Sequence, residues 1–236
     1  MKILAVGAHI DDVEVGCGGT LAQAYLNQHE VRILSLTGSA YTDLDGTVMR
    51  TPEQALQEGR AAAEILRAEL EVMDFPTKDV PYGSKTVEAI EAHMRKFQPD
   101  VILTHWPHDT HQDHRATSLA TISAARKHNS ILFYEPMTPS GRSYTPFRPQ
   151  VYVGISSEAV QMKSASLRAH TSQHEKYGTM WVDAIMARGV HRGFEIGATH
   201  AECFEPLRWQ WDLRGESHVS ATGAYHKNPM SGADPL

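Results

Sequence analysis

The chain has 236 residues, 41% hydrophobic and 21% charged, which suits one large domain with a core that needs no disulfides. Its 22 basic and 28 acidic side chains leave a formal charge of −6, which argues against nucleic acid or a membrane surface as partner. Only Cys17 and Cys203 carry thiols, too few for a disulfide scaffold, and no apolar run is long enough for a signal peptide or a membrane span, so the sequence reads as soluble and cytoplasmic.

The first element is an apolar run, Ile3 to Ala8, that can be buried on both faces as a central parallel strand. A polar, glycine-rich turn is expected from His9 to Gly19, followed by a helix from Thr20 to about Gln28 and a second strand from Val31 to Leu36. A helix beginning at Pro52 carries Ala55, Leu56, Ala62, Ala63 and Leu66 at helical spacing, and Val72 to Phe75 reads as a strand. A helix from Lys85 to Phe97, a strand from Val101 to Thr104, a helix from Asp113 to Lys127 and a strand from Ile131 to Tyr134 follow. Beyond a loop from Pro136 to Pro149, the spacing predicts a strand at Val151 to Ile155, helices at Glu158 to Ala169 and Tyr177 to Arg188, and a last strand at Ala201 to Trp209. Strands alternating with helices predict an α/β, Rossmann-like fold: a largely parallel sheet flanked by helices on both faces. A single domain is expected over residues 1–214, with 215–236 a tail that is mobile or packed on a neighbouring surface.

Fourteen histidines stand out, and position selects among them. His9-Ile10-Asp11-Asp12 and His111-Gln112-Asp113-His114 each follow a predicted parallel strand, so both sit at the carboxyl edge of the sheet, where ligands bind. His9, Asp12 and His114 would supply two nitrogens and an oxygen to a catalytic zinc with an open position. Asp11 could then take a proton from metal-activated water. His111 could face the same pocket as an acid or oxyanion stabiliser, with Asp113 placed to orient a histidine. A competing reading of Gly16-Cys17-Gly18-Gly19 is an anion cradle at a helix N-terminus, although the acidic residues before it would repel a phosphate. Arg50, Arg142, Tyr144, Arg192 and the Ser172-Gln173-His174 stretch are candidates for contacting sugar hydroxyls or a carboxylate, while His105 and His108 read as background.

These residues carry a resemblance. Ala8-His9-Ile10-Asp11-Asp12, with Glu14 and Gly16-Cys17-Gly18-Gly19-Thr20, resembles the A-H-P-D-D-x-E-x-G-C-G-G-T signature of the PIG-L/LmbE-like N-deacetylases. Pro107 to His114 resembles their P-x-D-x-H-x-D-H element, and weaker similarity to the bacillithiol-pathway branch runs on to about Arg208. The resemblance implies a zinc-dependent hydrolase, with another divalent ion such as Fe2+ as an alternative, that removes acetyl from an N-acetylglucosamine-type amino sugar or its conjugate. It assigns His9, Asp12 and His114 to the metal, Asp11 to the general base, and His111 with Asp113 to a paired acid or oxyanion stabiliser; family analogy also implies a homo-oligomer. Alternatives are an amide hydrolase acting on a thiol-sugar conjugate or antibiotic amino sugar, and a metal- or nucleotide-binding module without turnover. Ile10 departs from the family proline.

Overall fold

A computed structural model describes residues 1–211; the expected tail at 215–236 and the domain boundary at 214 lie outside the described residues. In chain order the elements are β1 (Lys2–Gly7), α1 (Asp12–Leu26), β2 (Glu30–Thr37), β3 (Tyr41–Thr42), β4 (Val48–Arg50), α2 (Pro52–Leu66), β5 (Glu69–Phe75) and α3 (Ser84–Phe97). They continue with β6 (Val101–Thr104), α4 (Gln112–Ala124), β7 (Ile131–Tyr134), β8 (Val151–Gly154), α5 (Ser157–Ala169), α6 (Thr171–Tyr177), α7 (Met180–Glu195) and β9 (Ala201–Arg208). Seven strands form one sheet in the order β5-β2-β1-β6-β7-β9-β8. All run parallel except β9, which is antiparallel to both β7 and β8.

The alternation of side chains along a strand sorts the core into two layers. Ile3, Ala5, Val31, Ile33 and Leu103 pack with Val13, Leu21, Leu66 and Ala159, under α1, α2 and α5. Leu4, Val6, Leu34, Leu36 and Ile102 pack on the other face with Ile90, Phe97 and Ala120, under α3 and α4. No helix among the described residues is long and apolar enough to cross a membrane.

The largest departure from expectation is α1, which begins at Asp12 rather than Thr20 and runs through the glycine-rich stretch. Those glycines answer a packing demand. A Cβ on Gly16 would lie 2.3 Å from the Tyr134 ring, and one on Gly19 would lie 2.6 Å from Ile155. The helix breaks at Cys17 (φ −147°), and Glu202 of β9 accepts hydrogen bonds there from the Gly19 N–H (3.0 Å) and the Thr20 N–H (2.7 Å). The anion cradle read from the sequence therefore exists, and the protein's own carboxylate fills it. Lys163, from α5, ion-pairs with Glu202 inside the core. The short β3–β4 hairpin and α6 were not expected from the sequence.

Candidate active site

The strand order puts β1 between β2 and β6, so the chain leaves β1 in one direction and returns on its other side. This is a switch point, and the two polar clusters meet across it. Asp12 is the hub. Its Oδ2 accepts from the His9 N–H (2.7 Å) and lies 3.3 Å from His9 Nδ1, while its Oδ1 lies 3.2 Å from His114 Nε2. The far nitrogen of each histidine is held by a carboxylate: His9 Nε2 by Asp113 (2.9 Å) and His114 Nδ1 by Asp109 (3.0 Å).

That donor set fits a divalent cation. Two imidazoles turn a free nitrogen toward one carboxylate, and outer carboxylates fix their rings and raise their basicity, as ligating histidines require. The charge distribution agrees. Burial disfavours imidazolium at His9, yet the charge of Asp12 and bonds to Asp113 and Asp12 push it up to about 9. The same opposition, with Asp12 and Asp109 prevailing over burial, lifts His114 to about 10.

Asp11 lies at the turn between β1 and α1 with φ 135°, a left-handed conformation that non-glycine residues rarely adopt and that recurs at functional sites. Burial, then the charge of Asp12, raises its carboxyl to about 6 against the pull of Arg50 and His170. The turn is held from both sides: the Ile10 N–H donates to Ser39 Oγ (2.5 Å), and the Ile10 carbonyl accepts from Arg50 Nη1 (2.9 Å).

His111 stacks on His114 with ring centroids 4.5 Å apart and meets His9 edge-on at 4.9 Å. It caps α4, its Nδ1 accepting from the Asp113 N–H (3.2 Å). The neutral ring therefore carries its proton on Nε2. Burial, then repulsion from His114 and His9, lowers its pKa to about 4.

The expected His111–Asp113 pair does not form. Residues two apart at a helix start point away from each other. The Asp113 carboxylate reaches His9 instead and also accepts from the backbone N–H groups of Lys78 (2.7 Å) and Val80 (3.1 Å). Two residues with no assigned role prove central. Asp109, inside the second motif, joins His114 to the His111 N–H (2.8 Å). His105, read as background, stacks on His114 at 4.0 Å; its Nε2 accepts from the Ala8 N–H and lies 3.1 Å from Asp12.

A cavity of about 360 Å³ opens at this cluster, and His9, Asp11, Asp12, His111 and His114 are among the residues that line it. Of the four residues expected to contact substrate, only Arg50 lines it, and its guanidinium is largely committed to Glu58 (2.8 Å) and the Ile10 carbonyl. The others lie outside the lining. Arg142 is exposed in the loop after β7, Tyr144 is 91% exposed in the same loop, and Arg192 is locked to Glu135 and Glu195. Of the 172–174 stretch, Gln173 lines the cavity, whereas Ser172 binds Glu58. The rest of the lining, Val15, Ser39, Tyr41, Thr77, Lys78, Met137, Thr138, Pro139, Ser140, Lys176, Tyr177 and Trp181, had no signal in sequence periodicity.

Comparison with known proteins places this geometry. A family model described as PIG-L, GlcNAc-PI de-N-acetylase, matches residues 4–125. A diacetylchitobiose deacetylase of Thermococcus kodakarensis is 28% identical over 218 residues, covering 85% of this chain and 81% of that protein. An uncharacterized deacetylase of Escherichia coli, YaiS, is 33% identical over 178 residues, 72% of this chain and 90% of its own. Among solved structures, the conserved protein TT1542 of Thermus thermophilus superposes with a TM-score of 0.74 at 26% identity, covering 91% of this chain and 98% of the other.

Proposed function

Because the chain belongs to the PIG-L family, we propose that it is a metal-dependent hydrolase that cleaves the acetamide of an N-acetylglucosamine-type sugar or its conjugate, releasing acetate and a free amine. The observation that carries this reading is the convergence of His9, Asp12 and His114 beside the separately held carboxylate of Asp11. A divalent ion, zinc or Fe2+, held by His9, Asp12 and His114 would supply Lewis acidity and lower the pKa of water.

The chain's own residues supply the rest. Asp11, with a carboxyl near 6, is ionised at neutral pH and basic enough to take the proton of the attacking water. His111 donates from Nε2 to the oxygen that gains charge as the carbonyl becomes tetrahedral. Protonated Asp11 can return its proton to the departing nitrogen. Asp109 and Asp113 hold the His114 and His9 rings in place. Buried free thiols at Cys17 and Cys203 support placing the enzyme in a reducing compartment such as the cytoplasm.

A screen of N-acetylated amino sugars with zinc-loaded protein, scored by free amine, tests the reaction. Asp11→Asn should retain metal and lose about 10²–10⁴-fold in turnover. His114→Ala should lose metal and activity together. Parent-like metal content and rates in both variants would overturn the assignment.

A further inference from the structure

The left-handed backbone at Asp11 persists only where its surroundings over-determine it, and the Ile10 carbonyl beside it is held by the Arg50 guanidinium. Arg50 ends β4, in a two-stranded hairpin apart from the main sheet whose Val48 and Met49 are exposed. A hairpin of that size fixes little by itself. The Arg50 side chain is nevertheless 2% exposed, and buried partners account for its place. Glu58 of α2 accepts from Nε (3.1 Å) and Nη2 (2.8 Å), the Ile10 carbonyl accepts from Nη1 (2.9 Å), and His170 Nδ1 accepts from Nη2 (3.4 Å).

His170 has no part in the chemistry set out above. It sits fully buried at the junction of α5 and α6 and does not line the cavity. A guanidinium can only donate, so Nδ1 accepts and the ring proton belongs on Nε2, which makes no hydrogen bond and faces Glu14 Oε1 at 3.4 Å. The ring thus lies between the cation that holds the residue before Asp11 and a carboxylate three residues after it. Against burial and the charge of Asp12, which raise the Asp11 carboxyl, Arg50 and His170 favour its ionised form. Glu58 carries the network into α6, accepting from the Thr171 hydroxyl (2.7 Å), the Ser172 N–H (2.8 Å) and the Ser172 hydroxyl (2.7 Å). The same helix contributes Gln173, Lys176 and Tyr177 to the cavity. Burying such a set of charges adds little net stability, whereas fixing a strained turn is a geometric use for it.

We propose that His170 and Glu58 are positioning residues for Asp11: they hold Arg50 against the Ile10 carbonyl and so make the turn that presents the base a rigid extension of α2 and of the α6 wall. The inference rests on the hydrolase reading above, and neither residue touches substrate or metal in it.

The test uses the zinc-loaded full chain with N-acetylglucosamine, rates being taken per folded molecule. His170→Leu removes the acceptor for Arg50 at similar volume and should lower kcat by about 10–10²-fold, since a misplaced base costs that much. KM should stay within about twofold and zinc content at the parent level, because the base acts only in the transition state. His170→Asn keeps an acceptor near the place of Nδ1 and should recover most of the loss, while Glu58→Gln, with one acceptor oxygen left, should fall between the two. Amide hydrogen exchange reads the turn without turnover: in His170→Leu and Glu58→Gln it should rise in residues 9–15 and 171–177 and keep the parent rate in α3 and β7. That exchange pattern, with no amine release by the parent from any N-acetylated sugar, would overturn the hydrolase reading and leave the positioning of the turn standing. Parent-like kcat in His170→Leu, a loss that follows zinc content or KM, no recovery in His170→Asn, or exchange at 9–15 that is unchanged or rises everywhere alike, would overturn the positioning role.

Discussion

Lys163→Met tests whether the buried pair with Glu202 holds the break in α1. The side chains are 7% and 6% exposed, and Glu202 has three partners: Lys163 and the N–H groups of Gly19 and Thr20. Removing one member of a buried pair leaves an uncompensated charge, typically at a cost of about 3–5 kcal/mol. The two backbone donors still solvate the Glu202 carboxylate, each such bond to a charged group being worth roughly 1.5–3 kcal/mol, so the lower end, about 3 kcal/mol, is expected. Against a total stability of about 5–15 kcal/mol for a domain, that is a large fraction. Urea unfolding should show a lower midpoint at unchanged slope. Adding Glu202→Gln removes the stranded charge while keeping an oxygen for one N–H, so the double variant should recover more than half of the loss. A Lys163→Met cost below about 1 kcal/mol, the range of an exposed ion pair, would refute the reasoning, as would additive losses in the double variant.

Two further outcomes follow from the neighbouring contacts. Ser39→Ala strands the buried Ile10 N–H, which should cost about 1–3 kcal/mol of stability and lower kcat by loosening the turn that carries Asp11. Proline has no N–H to strand, so Ile10→Pro in the Ser39→Ala background should restore part of kcat; a further fall in kcat would count against a positioning role for this bond. Glu58 concerns acid stability. Burial raises its pKa, but the Ser172 hydroxyl and N–H, the Thr171 hydroxyl and Arg50 hold it below its usual 4.5. Its stabilisation is therefore present above pH 4.5 and lost as the pH falls through the folded-state value. Glu58→Gln should be less stable than the parent near neutrality, with the gap closing on acidification; a gap constant with pH in chemical unfolding would contradict this.

The sequence made the two halves of the centre legible because each follows a short, largely apolar strand, and parallel topology puts such ends on one edge. His9, Asp11, Asp12, His111 and His114 accordingly converge. Local reading failed where the deciding partner was distant. The glycines at 16 to 19 read as a turn because their packing partners, Tyr134, Ile155 and Glu202, lie far along the chain. His105 gave no sign that it would stack on His114, and Asp113, placed by the sequence to orient a histidine, orients His9 instead of the His111 that the resemblance implied. Arg142, Tyr144 and Arg192 show the limit of choosing substrate contacts by residue type, since whether a loop residue faces a cavity is settled by packing and not by composition.

Strand β9 lies between β7 and β8 and hydrogen-bonds to both, although residues 201–208 are the last of the described strands to be synthesised. On a ribosome, the strands that precede the two polar clusters, β1 and β6, are complete while β7 still shows an open edge and β8 has no sheet to join. Glu202 arrives with β9, so the broken helix at Cys17 waits for its cap until the same moment. A nascent chain stopped before Ala201 would therefore carry the histidine–aspartate cluster together with an exposed strand edge, and such an edge makes a folding intermediate prone to aggregate and dependent on chaperones.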